Sequence, residues 1–141
     1  MKIIGYDKLI KQLKAIGKQG VEEIELATAD NATKIARDAI RLAPYDLGTL
    51  RRNILALEID KLNWKVLANA TGEAPYSAYM EFGTGGLVEV PEELKEVAIK
   101  FIGKGIKRVD IRPRPYLYPA FVQGRVNYID DLEKALERLT K

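Results

Sequence analysis

Apolar side chains recur every three or four residues over long stretches near both ends of the chain, and every second residue over a shorter stretch between them. Asp7 can cap a short first helix in which Leu9, Ile10, Leu13 and Ile16 keep helical spacing. Gly17 and Gly20 bracket its end and suit a chain reversal. A longer helix is predicted over residues 21–42, with a stripe of Val21, Ile24, Thr28, Ala32, Ile35, Ala39 and Leu42 widened by Ala36 and Ile40. Glu22, Glu25, Lys34, Asp38 and Arg41 fall outside the stripe and belong in water. Such a helix is a rod of roughly 33 Å. Pro44 ends it, because proline donates no N–H and disfavours helical geometry at Ala43.

Residues 44–48 read as a turn, after which the period changes to two. Leu55, Leu57 and Ile59 point one way, and Ile54, Ala56, Glu58 and Asp60 the other. A turn over residues 60–63 leads to a second strand in which Trp64, Val66, Ala68 and Ala70 share a face. Together they predict an antiparallel hairpin with one face against the long helix. Tyr76, Tyr79 and Met80 suit one helical turn. Pro91, followed by Glu92 and Glu93, signals a helix with Leu94, Val97, Ala98 and Phe101 inside and Gly103 at its end. Val109 and Ile111 suggest a third strand closed by Pro113 and Pro115. Pro119 opens a last helix with Phe121, Tyr128, Ile129, Leu132, Leu136 and Leu139 at helical spacing, weakened at Gly124 by up to ~1 kcal/mol. The expectation is one α+β domain over residues 1–141: a long N-terminal helix and a C-terminal helix packed on a small antiparallel sheet, with a helical insert at about 87–105.

Composition narrows the function. With 47% hydrophobic and 30% charged residues, the 141-residue chain can bury a core and does not read as disordered. No apolar run approaches the ~18 residues of a membrane span, and the start at Met1 turns polar too soon for a secretion signal. The absence of cysteine removes thiolate chemistry and disulfides, and fits a reducing compartment. The absence of histidine removes Ser-His and Cys-His nucleophile systems and the commonest metal ligand, so a non-enzymatic role without cofactors is expected.

Four places could still carry a site. Gly83, Gly85 and Gly86 could cradle phosphate, yet the spacing is not that of a nucleotide loop, and a tight reversal is the plainer reading. Glu81, among Tyr79, Met80 and Phe82, could be a general acid or base; pairing with an arginine, or accepting N–H bonds from the glycine turn, is expected instead. Lys104, Lys107, Arg108, Arg112 and Arg114 are opposed locally only by Asp110 and could grip nucleic acid, with Tyr116 and Tyr118 near enough to stack on bases. The net charge of +3 is far below that of a dedicated nucleic-acid binder. Arg51 and Arg52 lie where turn becomes strand, either solvated or making a subunit contact or an acidic pair.

Three motifs in order resemble those of the tail-component and neck proteins of long-tailed bacteriophages. The first runs from Ala43 and Pro44 through Asp46, Gly48, Leu50 and Arg51 to Ile54. The second is Tyr79, Glu81, Phe82, Gly83 and Thr84, and the third is Pro115, Leu117 and Pro119 before the last helix. Leu47 stands where a threonine is usual, and Tyr116 where a phenylalanine is common. The resemblance implies a virion structural protein at the head–tail junction, acting as a ring subunit and made in the host cytoplasm. Its partners would be further copies of itself and the connector and tail proteins, with DNA passing through the ring. No catalytic residues carry over; the motif residues would mark fold junctions and assembly surfaces. Residues 83–89 and 104–107 are the candidates for ordering on assembly.

Overall fold

The computed structural model describes residues 6–45, 48–83, 92–94, 96 and 111–141. The described chain is α+β: α1 (Tyr6–Ala15), α2 (Lys18–Leu42), α3 (Thr49–Arg52), β1 (Leu55–Asp60), β2 (Asn63–Leu67), α4 (Ser77–Phe82), a 3-10 turn (Glu92–Leu94) and α5 (Leu117–Thr140). Asp7 lies in the first turn of α1, where its charge still suits the helix dipole. Gly17 forms the reversal between α1 and α2, whereas Gly20 already lies inside α2.

The stripe read in α2 is the buried one: Ile24, Ala32, Ile35, Ala36 and Ala39 are all core residues. Ala43 is extended, as its place before Pro44 requires, and it still donates to Ala39 O at 2.8 Å. α5 runs antiparallel to α2, since Glu23 meets Arg138, Thr28 meets Tyr128, and Asn31 meets Gly124. Gly124, expected to weaken α5, is a point of close approach between the two helices. A Cβ there would lie 2.1 Å from Ile35 Cγ1, so only glycine permits the approach. Asn31 uses the exposed backbone, donating from Nδ2 to Gly124 O at 2.8 Å.

β1 and β2 form a two-stranded antiparallel hairpin, Leu55 opposite Leu67 and Leu57 opposite Lys65. Asp60 makes its turn, accepting from Leu62 N and from Asn63 Nδ2. The Asn63 bond and then the Leu62 amide hold the Asp60 carboxyl below its usual value. The alternation is as read, but the smaller residues face inward: Ala56, Val66 and Ala68 pack on the core beside buried Ile54. Leu55, Leu57 and Ile59 are 39%, 41% and 61% exposed.

Two apolar clusters divide the interior. One joins α1, the N-terminal half of α2 and the C-terminal half of α5 through Leu13, Ile24, Tyr128, Leu132 and Ala135. The other gathers Ile35, Ala36, Ala39, Ala43, Leu50, Ile54, Ala74, Tyr116 and Ala120. The third strand is corrected at its described end: Ile111 is in irregular chain, as befits a segment carrying Pro113 and Pro115, while Val109 lies outside the described residues. The expected helical insert lies outside the described residues apart from Glu92–Leu94 and Glu96.

Candidate functional site

The second cluster is where the three sequence motifs meet, and side chains bonded to backbone hold it together. α4 brings Glu81 to the start of α5. The first amides of a helix lack partners of their own, and the residue before α5, Tyr116, offers no capping side chain. The buried Glu81 carboxylate supplies the acceptors: Oε2 takes N–H bonds from Tyr116 and Leu117, both at 2.9 Å, and Oε1 takes one from Tyr118 at 2.8 Å. A negative charge at a helix N-terminus is stabilised twice, by charge-assisted bonds and by the helix dipole. Glu81 is thus a capping residue delivered from another helix. It accepts backbone N–H bonds, as one reading expected, and the described donors belong to the start of α5; the glycine turn past Gly83 lies outside the described residues.

Tyr116 completes the link. It is fully buried, and its hydroxyl donates to Ser77 O in α4 at 3.1 Å. Burial, and then the Glu81 carboxylate, push its phenol well above the ordinary 10.0. The idea that Tyr116 stacks on bases is therefore corrected, because its ring has no face in solvent. Beside it, Arg114 N donates to Met80 O at 2.8 Å. Gly83 closes α4 at φ 71, and a Cβ there would sit 2.7 Å from Ile111 O and 2.9 Å from Pro113 N. The Tyr79 to Gly83 motif needs glycine because the proline segment crosses directly over it.

The first motif packs into the same cluster through Ala43, Leu50 and Ile54, and Arg51 and Asn53 hold its own chain in place. Arg51 donates from Nε (3.0 Å) and Nη2 (2.7 Å) to Ala43 O, capping the end of α2, and its guanidinium lies 5.2 Å from the centre of the Tyr45 ring. It caps a helix end and is not a solvated strand residue, and it makes no acidic pair among the described residues. The local reason is α3, a four-residue helix too short to show periodicity, entered at Gly48 with φ 75. Leu50 of α3 is buried and Pro44 half-buried. Asn53 was not singled out by the sequence, yet it is buried and donates from Nδ2 to Thr49 O at 3.0 Å. Its Oδ1 accepts from both the amide and the hydroxyl of Thr71. The only signal for it was a polar residue between an arginine pair and an apolar strand.

Asp46, Thr84, Lys104, Lys107 and Arg108 lie outside the described residues, as do residues 84–89 and 104–107. Arg112, Arg114 and Pro115 are exposed, while Leu117 and Pro119 are half-buried at the start of α5 and Tyr79 and Phe82 half-buried in α4. Glu81 also borders a cleft of about 930 Å³ between the hairpin, α2 and α5, walled by Ile24, Ile35, Val66, Phe121 and Tyr128. Its carboxylate is committed to three amides there. Among the described residues no group of three or more acidic side chains gathers as a metal site, and no helix is long and apolar enough to cross a membrane.

The model of the HK97 gp10-like family, described as a bacteriophage tail component, matches residues 7–83, more than half of the chain. The chain belongs to this family. No curated protein and no solved structure is significantly similar to it. The tail-component match spans α1 to Gly83 and so contains the first two motifs, Glu81 included. The third motif lies beyond it and joins the same junction through the three amides that Glu81 holds. As a member of this family, the protein has a structural role in the virion.

Proposed function

We propose that this tail component works at the head–tail junction as a non-enzymatic ring subunit, joining the connector of the DNA-filled head to the tail. The observation that carries the reading is the use made of Glu81. The most site-like carboxylate in the sequence is buried and committed to capping α5, which bonds the second motif to the third. A rigid core with exposed chain around it suits a part whose work is mechanical contact. Its partners are copies of itself and the neighbouring connector and tail proteins, with DNA passing through the ring. We further propose that the whole chain is one domain and that the motif residues, from Pro44 to Pro119, serve as fold junctions supporting assembly surfaces.

Deleting the gene from the phage or prophage tests this. Filled heads and finished tails should accumulate separately, and supplying the protein in trans should join them. Intact infectious particles without the protein would contradict the reading.

A second reading keeps some support from Arg112 and Arg114, which are exposed on the irregular segment before α5. If they contact DNA, binding should weaken with salt and with Arg112→Ala and Arg114→Ala, which remove phosphate contacts. No binding at low salt would eliminate it.

A further inference from the structure

We propose that the cleft between the hairpin, α2 and α5 receives an extended acidic and apolar segment of a neighbouring virion protein, a reading that needs the family's place in the tail but not the ring. Two donors that line the cleft have no acceptor among the described residues. The Trp64 indole nitrogen is buried and makes no hydrogen bond. Such a group is rare in a folded protein and calls for an acceptor from elsewhere. Arg125, half-buried on α5, makes no hydrogen bond or ion pair there either.

Nothing around Arg125 supplies the acid. The residues three and four places away on its own helix are Phe121, Val122, Tyr128 and Ile129. Asp30 of α2 and Asp131 of α5 both pair with Lys34. Glu81 is taken up by three amides. Asp7 and Lys14, exposed on α1 at one end of the cleft, offset each other. Lys65 alternates with Trp64 and Val66 and so belongs to the other face of the hairpin.

The two donors stand at one level of α2 but on different walls. Gly124, next to Arg125, bonds Asn31, while Trp64 shares a shallow hollow with Leu26 and Ala29. A ligand with one polar end can serve one wall. A peptide brings a side-chain carboxylate for Arg125 and main-chain carbonyls for the indole. The surface between them is apolar, formed by Ile24, Ile35, Val66 and Phe121. From Ile24 to Ile35 the cleft follows α2 for roughly 16 Å, the length of about five extended residues. Its volume of about 930 Å³ holds such a segment.

Trp64 is the only tryptophan, so its indole N–H gives a single resonance that reports on the cleft. Titration with the peptide acetyl-Leu-Glu-Leu-Glu-Leu-amide should move that signal downfield to saturation as an acceptor arrives. The amides of Val66 and Phe121 should shift with it. A peptide with Gln for both Glu should bind about tenfold more weakly. Arg125→Gln should weaken the acidic peptide about tenfold and remove the difference between the two peptides. Trp64→Phe, followed through Val66 and Phe121, should bind more weakly yet still prefer the acidic peptide. Decanoate, which carries one carboxylate on an apolar chain, separates a peptide site from a small-molecule site. No shift up to millimolar peptide, equal affinity for the two peptides, or saturable binding of decanoate without the peptide would each overturn the assignment, and none of them would touch the ring reading.

Discussion

The two ends of α2 are held by different physics. At its N-terminal half, Leu13, Ile24, Leu132 and Ala135 interlock, and the attachment is apolar packing between helices. At its C-terminal half the core is as apolar, but the elements crossing it are short and irregular, so their backbone groups need partners. Glu81, Arg51 and Asn53 supply them. Helices bring their own hydrogen bonds to a core, and junctions must borrow theirs from side chains.

The largest effect should come from the borrowed bonds. Glu81→Ala leaves three amides at a buried helix start without an acceptor and should cost ~4 kcal/mol, with Glu81→Gln costing about half because one oxygen remains. Chemical denaturation measures both, and a loss under ~1 kcal/mol for Glu81→Ala would erase the distinction between the two ends. Next is the packing end. Leu132→Ala should cost ~3 kcal/mol through lost transfer energy and the cavity left behind. It should leave the amides that Glu81 caps bonded.

A smaller effect sharpens the junction further. Tyr116→Phe removes the bond to Ser77 O and should cost ~1 kcal/mol at neutral pH. In the unfolded chain the phenol loses its proton near 10.0, while the buried one keeps it, so unfolding releases a proton there. Stability therefore falls as pH rises above 10.0, and Tyr116→Phe should flatten that decline. An unchanged alkaline limb in a pH series of melts would mean that Tyr116 is not buried as described. The smallest change belongs to Arg138→Ala, which breaks the pair with Glu23. Both side chains are more than a third exposed, and the loss should stay under ~0.5 kcal/mol.

The same contrast decides how much could be read from the sequence. The packing end announces itself, because helical periodicity in α1, α2 and α5 is local and survives without knowledge of partners. The hairpin's alternation was legible too, but not which set faces inward, since Leu55, Leu57 and Ile59 are larger than the Ala56 and Val66 that the core accepts. The three motifs marked the junction, but its bonds join Glu81 to amides about 35 residues away, a pairing that no local rule contains. α3 was too short for a period. Gly124 looked like a defect because its reason, Ile35, lies on another helix.

Native-state hydrogen exchange at the amides of Tyr116, Leu117 and Tyr118 tests the central claim most directly. With Glu81 present these three amides should be strongly protected although they begin a helix. In Glu81→Ala they should lose nearly all of that protection and exchange like the unpaired first amides of a helix, whereas Leu132 and Ala135 should stay protected up to the variant's own global stability. Equal protection in the two proteins would show that something other than Glu81 holds the junction.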